Sequence, residues 1–168
     1  MDTTKNYKIQ ITAALVELRG MPYYANGAAE SGNVHGYSNH EAAIKATLER
    51  NGFVATTKPN GFTNSECKSW VGNTKTCPIE IGTFIDQPCG KQDSPDFLVR
   101  ISQGCVIALE AKSCRTPTPL YNSAGIKDNY IYIFCCERYN ATTFYWGRDI
   151  ITPDQQETLS ELFRLQKE

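Results

Sequence analysis

Asp96, Glu110 and Lys112 combine two carboxylates and one amine at a spacing that can bring them together. Asp96 begins one β-prone run, and Glu110 to Lys112 end the next, with thirteen residues between the two acids. A tight turn is predicted midway, at Gln103-Gly104. Because side chains alternate across a strand, Glu110 and Lys112 share one face. The pattern predicts a hairpin that places two acids beside one ammonium group.

Two converging carboxylates predict a site for a hard divalent cation, with Asp96 and Glu110 as ligands. Hydrolysis of a phosphodiester bond uses such a site, because the cation polarises the phosphate and supplies hydroxide. Lys112 would orient or deprotonate the attacking water. A solvated charged face is the bland alternative. The apolar run at 106–109 favours function, because charges that end a buried strand cost free energy unless they have partners.

Glu41 is a further candidate ligand of the metal, since it lies on the apolar face of a predicted helix. As the fourth residue from Ser38 it could instead close a capping box at the start of that helix. Both interpretations remain open at the level of sequence. Asp86 and Asp93 are additional acids near Asp96, but their turn-forming neighbours favour solvated loop carboxylates.

The loop at 113–129 carries side chains that can contact DNA. Arg pairs with guanine and Asn with adenine in the major groove, while Ser and Lys can hold phosphates. The candidate DNA-binding residues are Arg115, Asn122, Ser123 and Lys127. An ordinary surface connection is the alternative, and Arg115 could equally clamp a phosphate.

The other elements would hold this hairpin in a mixed sheet flanked by helices, an α/β (α+β) fold. Helical patterns cover residues 6–19 and a segment that starts at Ser38 and stops at Asn51-Gly52. A closing helix begins at Thr152 and Pro153. Strands are predicted at 53–57, 96–102, 105–112, 130–136 and 142–146, with only a short β-prone run at 79–85.

Residues 58–78 are rich in polar residues, Pro and Gly, and predict no clear element. We interpret them as an insertion in a single domain of residues 1–168. Lys58, Lys68 and Lys75 of this segment could contact the DNA backbone. Trp70 could do the same, although a Trp more often lies in the core.

Composition sets the class of protein. Hydrophobic residues make up 40% and charged residues 21%, as in ordinary globular domains. The net charge of -1 argues against a histone-like binder and leaves a local basic cleft open. A membrane span and a signal peptide are not expected, so the cytosol is the expected compartment. Seven cysteines favour free thiols, with a zinc site of Cys67, Cys77 and Cys89 plus His35 or His40 as an alternative.

Pro95-Asp96 followed by Glu110-Ala111-Lys112 resembles the motif of the PD-(D/E)xK nuclease superfamily. The 87–92 segment before it, and the Asn122-Ser123 loop followed by an apolar strand, are similar to small type II restriction endonucleases. The resemblance covers roughly residues 38–150. It implies a restriction-endonuclease-like core, Mg²⁺, cleavage that leaves 5′-phosphate and 3′-hydroxyl ends, and a homodimer on a palindromic site.

Two other functions compete with a restriction endonuclease at this stage. A structure-specific nuclease of repair or recombination would use the same chemistry without base-reading loops. A DNA-binding module without activity would keep these acids for structure alone. The long polar segments disfavour the first alternative, and the complete Asp-Glu-Lys set disfavours the second.

Overall fold

The computed structural model describes residues 4–23, 40–119, 121, 125–150 and 153–166. In these residues one mixed six-stranded sheet forms the centre of the fold. Its strands follow chain order across the sheet: β1 (Val54–Thr56), β2 (Thr83–Asp86), β3 (Phe97–Ser102), β4 (Cys105–Cys114), β5 (Tyr130–Cys136) and β6 (Ala141–Trp146). The β1–β2 and β4–β5 pairs are parallel, and the other neighbours are antiparallel. The predicted mixed α/β fold is confirmed, and the short run at 79–85 supplies the additional strand β2.

Two helices cover one face of the sheet, as the sequence predicts. They are α1 (Lys8–Arg19), followed by Gly20, and α2 (His40–Arg50), followed by Asn51-Gly52. Their apolar residues pack against alternate residues of the strands, which share a core with them: Ile11, Leu15, Leu18, Ile44, Leu48, Phe97, Val99, Ile107, Leu109, Ile131 and Ile133. Ser38, the predicted start of the second helix, lies outside the described residues. The chain closes with α4 (Gly147–Ile150) and α5 (Pro153–Gln166), the latter at the predicted position.

The prediction that residues 58–78 contain no clear element is wrong, while their interpretation as an insertion stays a prediction. They contain α3 (Asn64–Ser69) and a 3₁₀ turn (Thr74–Thr76). A capping box starts α3: the Glu66 amide donates to Thr63 Oγ1 at 3.1 Å, and the Thr63 amide donates to Glu66 Oε1 at 3.2 Å. A helix of six residues is too short to show helical periodicity, so the sequence pattern does not predict α3.

This segment covers the second face of the sheet. Cys67 and Trp70 are fully buried, and they pack with strand residues whose side chains alternate with those of the helix-covered face: Ile85, Leu98, Val106, Ala108, Tyr130 and Tyr132. Trp70 also makes an edge-to-face contact with Phe62, with ring centroids 5.2 Å apart. The Trp is therefore a core residue, and residues 58–78 complete the fold.

Arg100 of β3 ties this segment to the hairpin. Its guanidinium is buried, and it donates to the carbonyls of Cys77 at 2.8 Å and Ile79 at 2.9 Å. It also donates to the carbonyls of Ser102 at 3.4 Å and Gln103 at 3.1 Å. These four contacts satisfy the five N–H donors of a buried cation almost completely. Arg100 thus fixes the second-face segment onto the β3–β4 turn.

Trp70→Ala is expected to lower the free energy of unfolding by about 3–5 kcal/mol, the cost of emptying a large aromatic site in a core. Chemical denaturation monitored by circular dichroism measures this loss. Lys75→Ala is the control, because Lys75 is exposed on the 3₁₀ turn of the same segment. Equal stability of the two variants would show that residues 58–78 are dispensable for the fold.

Candidate functional site

The hairpin aligns the two acids across neighbouring strands. In the antiparallel β3–β4 pair, Phe97 lies opposite Leu109. Asp96 directly precedes β3, so continuation of this register places it opposite Glu110. The Ala111 amide donates to Asp96 Oδ2 at 2.7 Å, which fixes the Asp96 carboxylate beside β4. The predicted convergence of these two acids is present in the structure.

Glu110 and Lys112 lie on one face of β4, as alternation predicts. Lys112 Nζ is 3.8 Å from Glu110 Oε2, and the side chains are only 17% and 8% exposed, respectively. Leu109 packs in the core under α1 and α2, and Ala111 packs against that core. The ammonium group therefore lies next to a nearly buried carboxylate at the end of the strand's apolar run.

Glu41 joins the two acids from the first turn of α2. Gln87 Nε2 donates to Glu41 Oε2 at 3.1 Å, and the Glu41 carboxyl is in hydrogen-bond contact with Asp96. Burial, followed by the charge of Asp96, raises the pKa of Glu41. These contacts favour the interpretation in which Glu41 points toward the other two acids. Ser38, with which Glu41 would form a capping box, lies outside the described residues.

Gln87 is a residue to which the sequence assigned no role. It follows β2 with a positive φ of 52°, and its amide donates to the Asp96 carbonyl at 2.7 Å. Its side chain holds Glu41 at the same time. Gln87 therefore links the helix-borne acid to the acid on the hairpin, and its place at the start of the 87–92 segment was the one signal in the sequence that pointed toward it.

Asp96, like Glu41, binds its proton more tightly than a solvated carboxylate does. Burial, together with the hydrogen bond and charge of Glu110, raises the pKa of Asp96 to about 7, although the Ala111 amide acts in the other direction. Like charges held close together in a partly desolvated place favour a shared proton or a bound cation. Lys112 supplies one positive charge at this point.

No three His, Cys, Asp or Glu side chains of the described residues are arranged as a ready-made metal cluster. The adjoining carboxylates of Glu41, Asp96 and Glu110 offer only oxygen donors, which suits Mg²⁺ chemically. Cys67, Cys77 and Cys89 are free and buried, and burial raises the pKa of each thiol. Among the described residues these cysteines form no group arranged to hold a metal ion, which gives the zinc alternative no support.

The histidines of the zinc alternative give it no support. His40 is buried, and its Nε2 lies 2.9 Å from the Ile133 carbonyl. This residue is therefore part of the interior of the protein. His35 lies outside the described residues.

Asp86 and Asp93 are partly solvated acids, as the sequence predicts, although Asp86 is the last residue of β2 rather than a loop residue. Each forms an ion pair with a lysine: Asp86 with Lys45 at 3.8 Å and Asp93 with Lys68 at 2.8 Å. The side chains of the two acids are 39% and 42% exposed, respectively. They flank the acidic site without joining its hydrogen-bonded core.

The structure does not bring together Arg115 and Lys127, the two candidate DNA-binding residues that it describes. Arg115 follows β4, next to the far end of β5, and lies 3.6 Å from Glu137 with a largely exposed side chain. Lys127 lies before the start of β5. Seven residues of β5 separate these places by roughly 20 Å. Asn122 and Ser123 lie outside the described residues, and their contact with DNA stays a prediction.

The two other lysines of the 58–78 segment also stay predictions as DNA contacts. Lys58 Nζ donates to Asn64 Oδ1 at 3.0 Å, and Lys75 is exposed.

No helix of the described residues combines the length and apolar character that crossing a membrane requires. Comparisons with models of protein families, with curated proteins and with solved structures found no match. The side chains of the site are therefore the basis for its chemistry.

Proposed function

We propose that this protein is a Mg²⁺-dependent endonuclease that hydrolyses phosphodiester bonds of double-stranded DNA at a specific sequence, as a type II restriction endonuclease does. The observation that carries the proposal is the place of Asp96 opposite Glu110, with Lys112 3.8 Å from Glu110. Glu41 adds a third carboxyl from α2. Two or three carboxylates with one amine form the set that metal-assisted phosphodiester hydrolysis uses.

Each side chain has a separate task in this reaction. Asp96 and Glu110, with Glu41, would hold Mg²⁺, which polarises the phosphate and acidifies a water molecule when bound. Asp96, with its pKa of about 7, would have to give up its proton to hold a cation. Lys112 orients the attacking water and stabilises the negative charge that develops on the phosphorane.

The remaining expectations belong to the same proposal. The mixed sheet with helices on one face and residues 58–78 on the other would be a restriction-endonuclease-like core. The protein would act in the cytoplasm as a homodimer, because a palindromic DNA site matches two-fold protein symmetry.

Incubation of the purified protein with plasmid DNA tests this function. With Mg²⁺ the plasmid should yield discrete fragments whose ends carry 5′-phosphates, and with EDTA it should remain intact. Cleavage of branched substrates alone would identify a repair nuclease instead. A protein that binds duplexes but cuts none of these substrates would be a DNA-binding module.

Glu41→Gln is expected to slow cleavage by about 10- to 100-fold, because the amide weakens a metal ligand while keeping its shape. The melting temperature should not fall, since the substitution relieves repulsion with Asp96. Single-turnover cleavage and thermal melting measure the two effects. Glu49→Gln, at an exposed position on the same helix, should cleave like the parent. If Glu41→Gln cleaves at the parental rate, Glu41 is a helix cap and not a metal ligand.

A further inference from the structure

Two lysines from distant parts of the chain act on one carboxylate beside the acidic site, Lys68 through an ion pair and Lys127 through its charge. Lys68, on α3, places Nζ 2.8 Å from Asp93 Oδ1 and 2.9 Å from Oδ2. Lys127, before β5, also acts electrostatically on Asp93. Asp93 precedes Asp96 by three residues. The ammonium groups thus outnumber the carboxylate that they share, at the edge of the acidic site.

Asp93 stays ionised in this arrangement. Partial burial opposes its charge, yet the hydrogen bonds from Lys68 and the Ser94 amide and the charge of Lys127 lower the pKa of Asp93 below its usual value. A carboxylate that accepts from an ammonium group occupies the position that another oxyanion could take. Phosphate oxygens offer the same acceptor chemistry to lysine.

The backbone of Lys127 is held from several sides. The Lys127 amide donates to the Tyr132 hydroxyl at 2.7 Å, and the Lys127 carbonyl accepts from the Tyr130 amide at 3.3 Å. Gly147 packs so closely that a Cβ at this position would lie 1.8 Å from the Lys127 carbonyl oxygen. Because the backbone of Lys127 is held by these contacts, the Cα atom from which its side chain extends is fixed in position.

Tyr132 is itself held firmly. Its ring stacks on Tyr145, with centroids 5.5 Å apart, and meets Tyr121 edge-on at 5.3 Å. The hydroxyls of Tyr121 and Tyr145 lie 2.6 Å apart. The three rings, from β5, β6 and the loop before β5, form a rigid support, and the Tyr132 hydroxyl extends from it to Lys127.

We propose that Lys68 and Lys127 bind the sugar-phosphate backbone of DNA beside the acidic site, and that Tyr132 is the positioning residue for Lys127. This inference rests on the proposed function and names the contacts that would hold the strand next to the carboxylates. Asp93 holds the Lys68 ammonium group in place when DNA is absent, and the charge of Lys127 also acts on this carboxylate. Contacts of this kind fix the register of a duplex without reading its sequence.

Equilibrium binding of a linear duplex of arbitrary sequence tests the phosphate contacts, with Ca²⁺ in place of Mg²⁺ to prevent cleavage. Lys68→Ala and Lys127→Ala should each weaken binding by about tenfold, the scale of one hydrogen bond to a charged group. Each should also reduce the magnitude of the salt slope by about 1. Lys8→Ala, at an exposed position on α1, should bind like the parent.

The Asp93→Asn variant tests whether Lys68 contacts DNA or only forms a structural ion pair with Asp93. It removes the carboxylate that competes with phosphate, so it should tighten binding, in the opposite direction to Lys68→Ala. A merely structural pair would make both variants lose melting temperature alike and leave the salt slope unchanged. Equal weakening of binding by the two variants would overturn the proposal.

A double-mutant cycle tests the role of Tyr132. Tyr132→Phe keeps the ring packing and removes the hydroxyl, so it should weaken binding and flatten the salt slope much as Lys127→Ala does. In the Lys127→Ala background it should cause no further loss. Additive losses would show that Tyr132 does not act through Lys127. A parent protein that binds no duplex at all would instead overturn the nuclease assignment itself.

Discussion

Asp96→Asn is expected to reduce Mg²⁺-dependent plasmid cleavage by on the order of 100- to 1,000-fold, measured under single-turnover conditions. The reason is the loss of one anionic metal ligand at the centre of the cluster, where Asp96 lies opposite Glu110 and contacts Glu41. The amide oxygen of asparagine can still accept from the Ala111 amide, which the carboxylate accepts at 2.7 Å in the parent. The strand register at the site should therefore survive the substitution.

The melting temperature of Asp96→Asn distinguishes the loss of a metal ligand from unfolding of the protein. Removing a buried acid whose pKa is raised to about 7 by burial and by Glu110 relieves unfavourable charge, so the melting temperature at pH 8 should equal or exceed that of the parent. Asp86→Asn is the matched control, since Asp86 is partly exposed and paired with Lys45. Cleavage at the parental rate by Asp96→Asn would mean that the assigned site is wrong.

Lys112→Met is expected to slow cleavage in Mg²⁺ by on the order of 100-fold or more, the scale of one positioned charge-stabilising or proton-transferring group. Methionine keeps most of the apolar stem of this 17%-exposed side chain and removes only the ammonium group 3.8 Å from Glu110. In Ca²⁺, which fills oxygen sites but activates water less, the variant should bind duplex DNA nearly as well as the parent. The expected defect is therefore chemical, in kcat rather than in affinity.

Lys45→Met is the matched control for this variant. Lys45 also lies 3.8 Å from a carboxylate, that of Asp86, but its side chain is 42% exposed and stands outside the acidic cluster. It should cleave at the parental rate. Should Lys112→Met lose binding in Ca²⁺ as severely as it loses cleavage, Lys112 would be a phosphate anchor or a structural partner of Glu110, and its catalytic role would have to be withdrawn.

Local patterns predicted the centre of the fold and of the site. Glu110 and Lys112 lie on one face because a strand has a period of two, a rule that holds wherever the strand is placed. The Asp96–Glu110 alignment follows from a two-residue turn between two β-prone runs. Such features depend on residues close together in sequence, so one chain is enough to show them.

Contacts between segments that are distant in sequence could not be predicted from the sequence. Gln87 joins Glu41 to Asp96 only because α2 packs at the end of β2, which no sequence periodicity records. Residues 58–78 look polar because their two largest buried groups, Cys67 and Trp70, are separated by charged and hydroxyl side chains on one short helix. The pairing of Lys68 with Asp93 likewise spans 25 positions.

Arg100 has a consequence for how the protein opens. Because its guanidinium holds the Cys77 and Ile79 carbonyls as well as those of the β3–β4 turn, the chain at 77–79 cannot detach while the hairpin stays closed without stranding a buried cation. Local fluctuations of the two regions are thereby merged into one cooperative unit. Amide protons near Cys77 should exchange with solvent through the same subglobal opening that exposes β3 and β4, so the slow opening of the strand that carries Glu110 depends partly on a segment that precedes β2 in the chain.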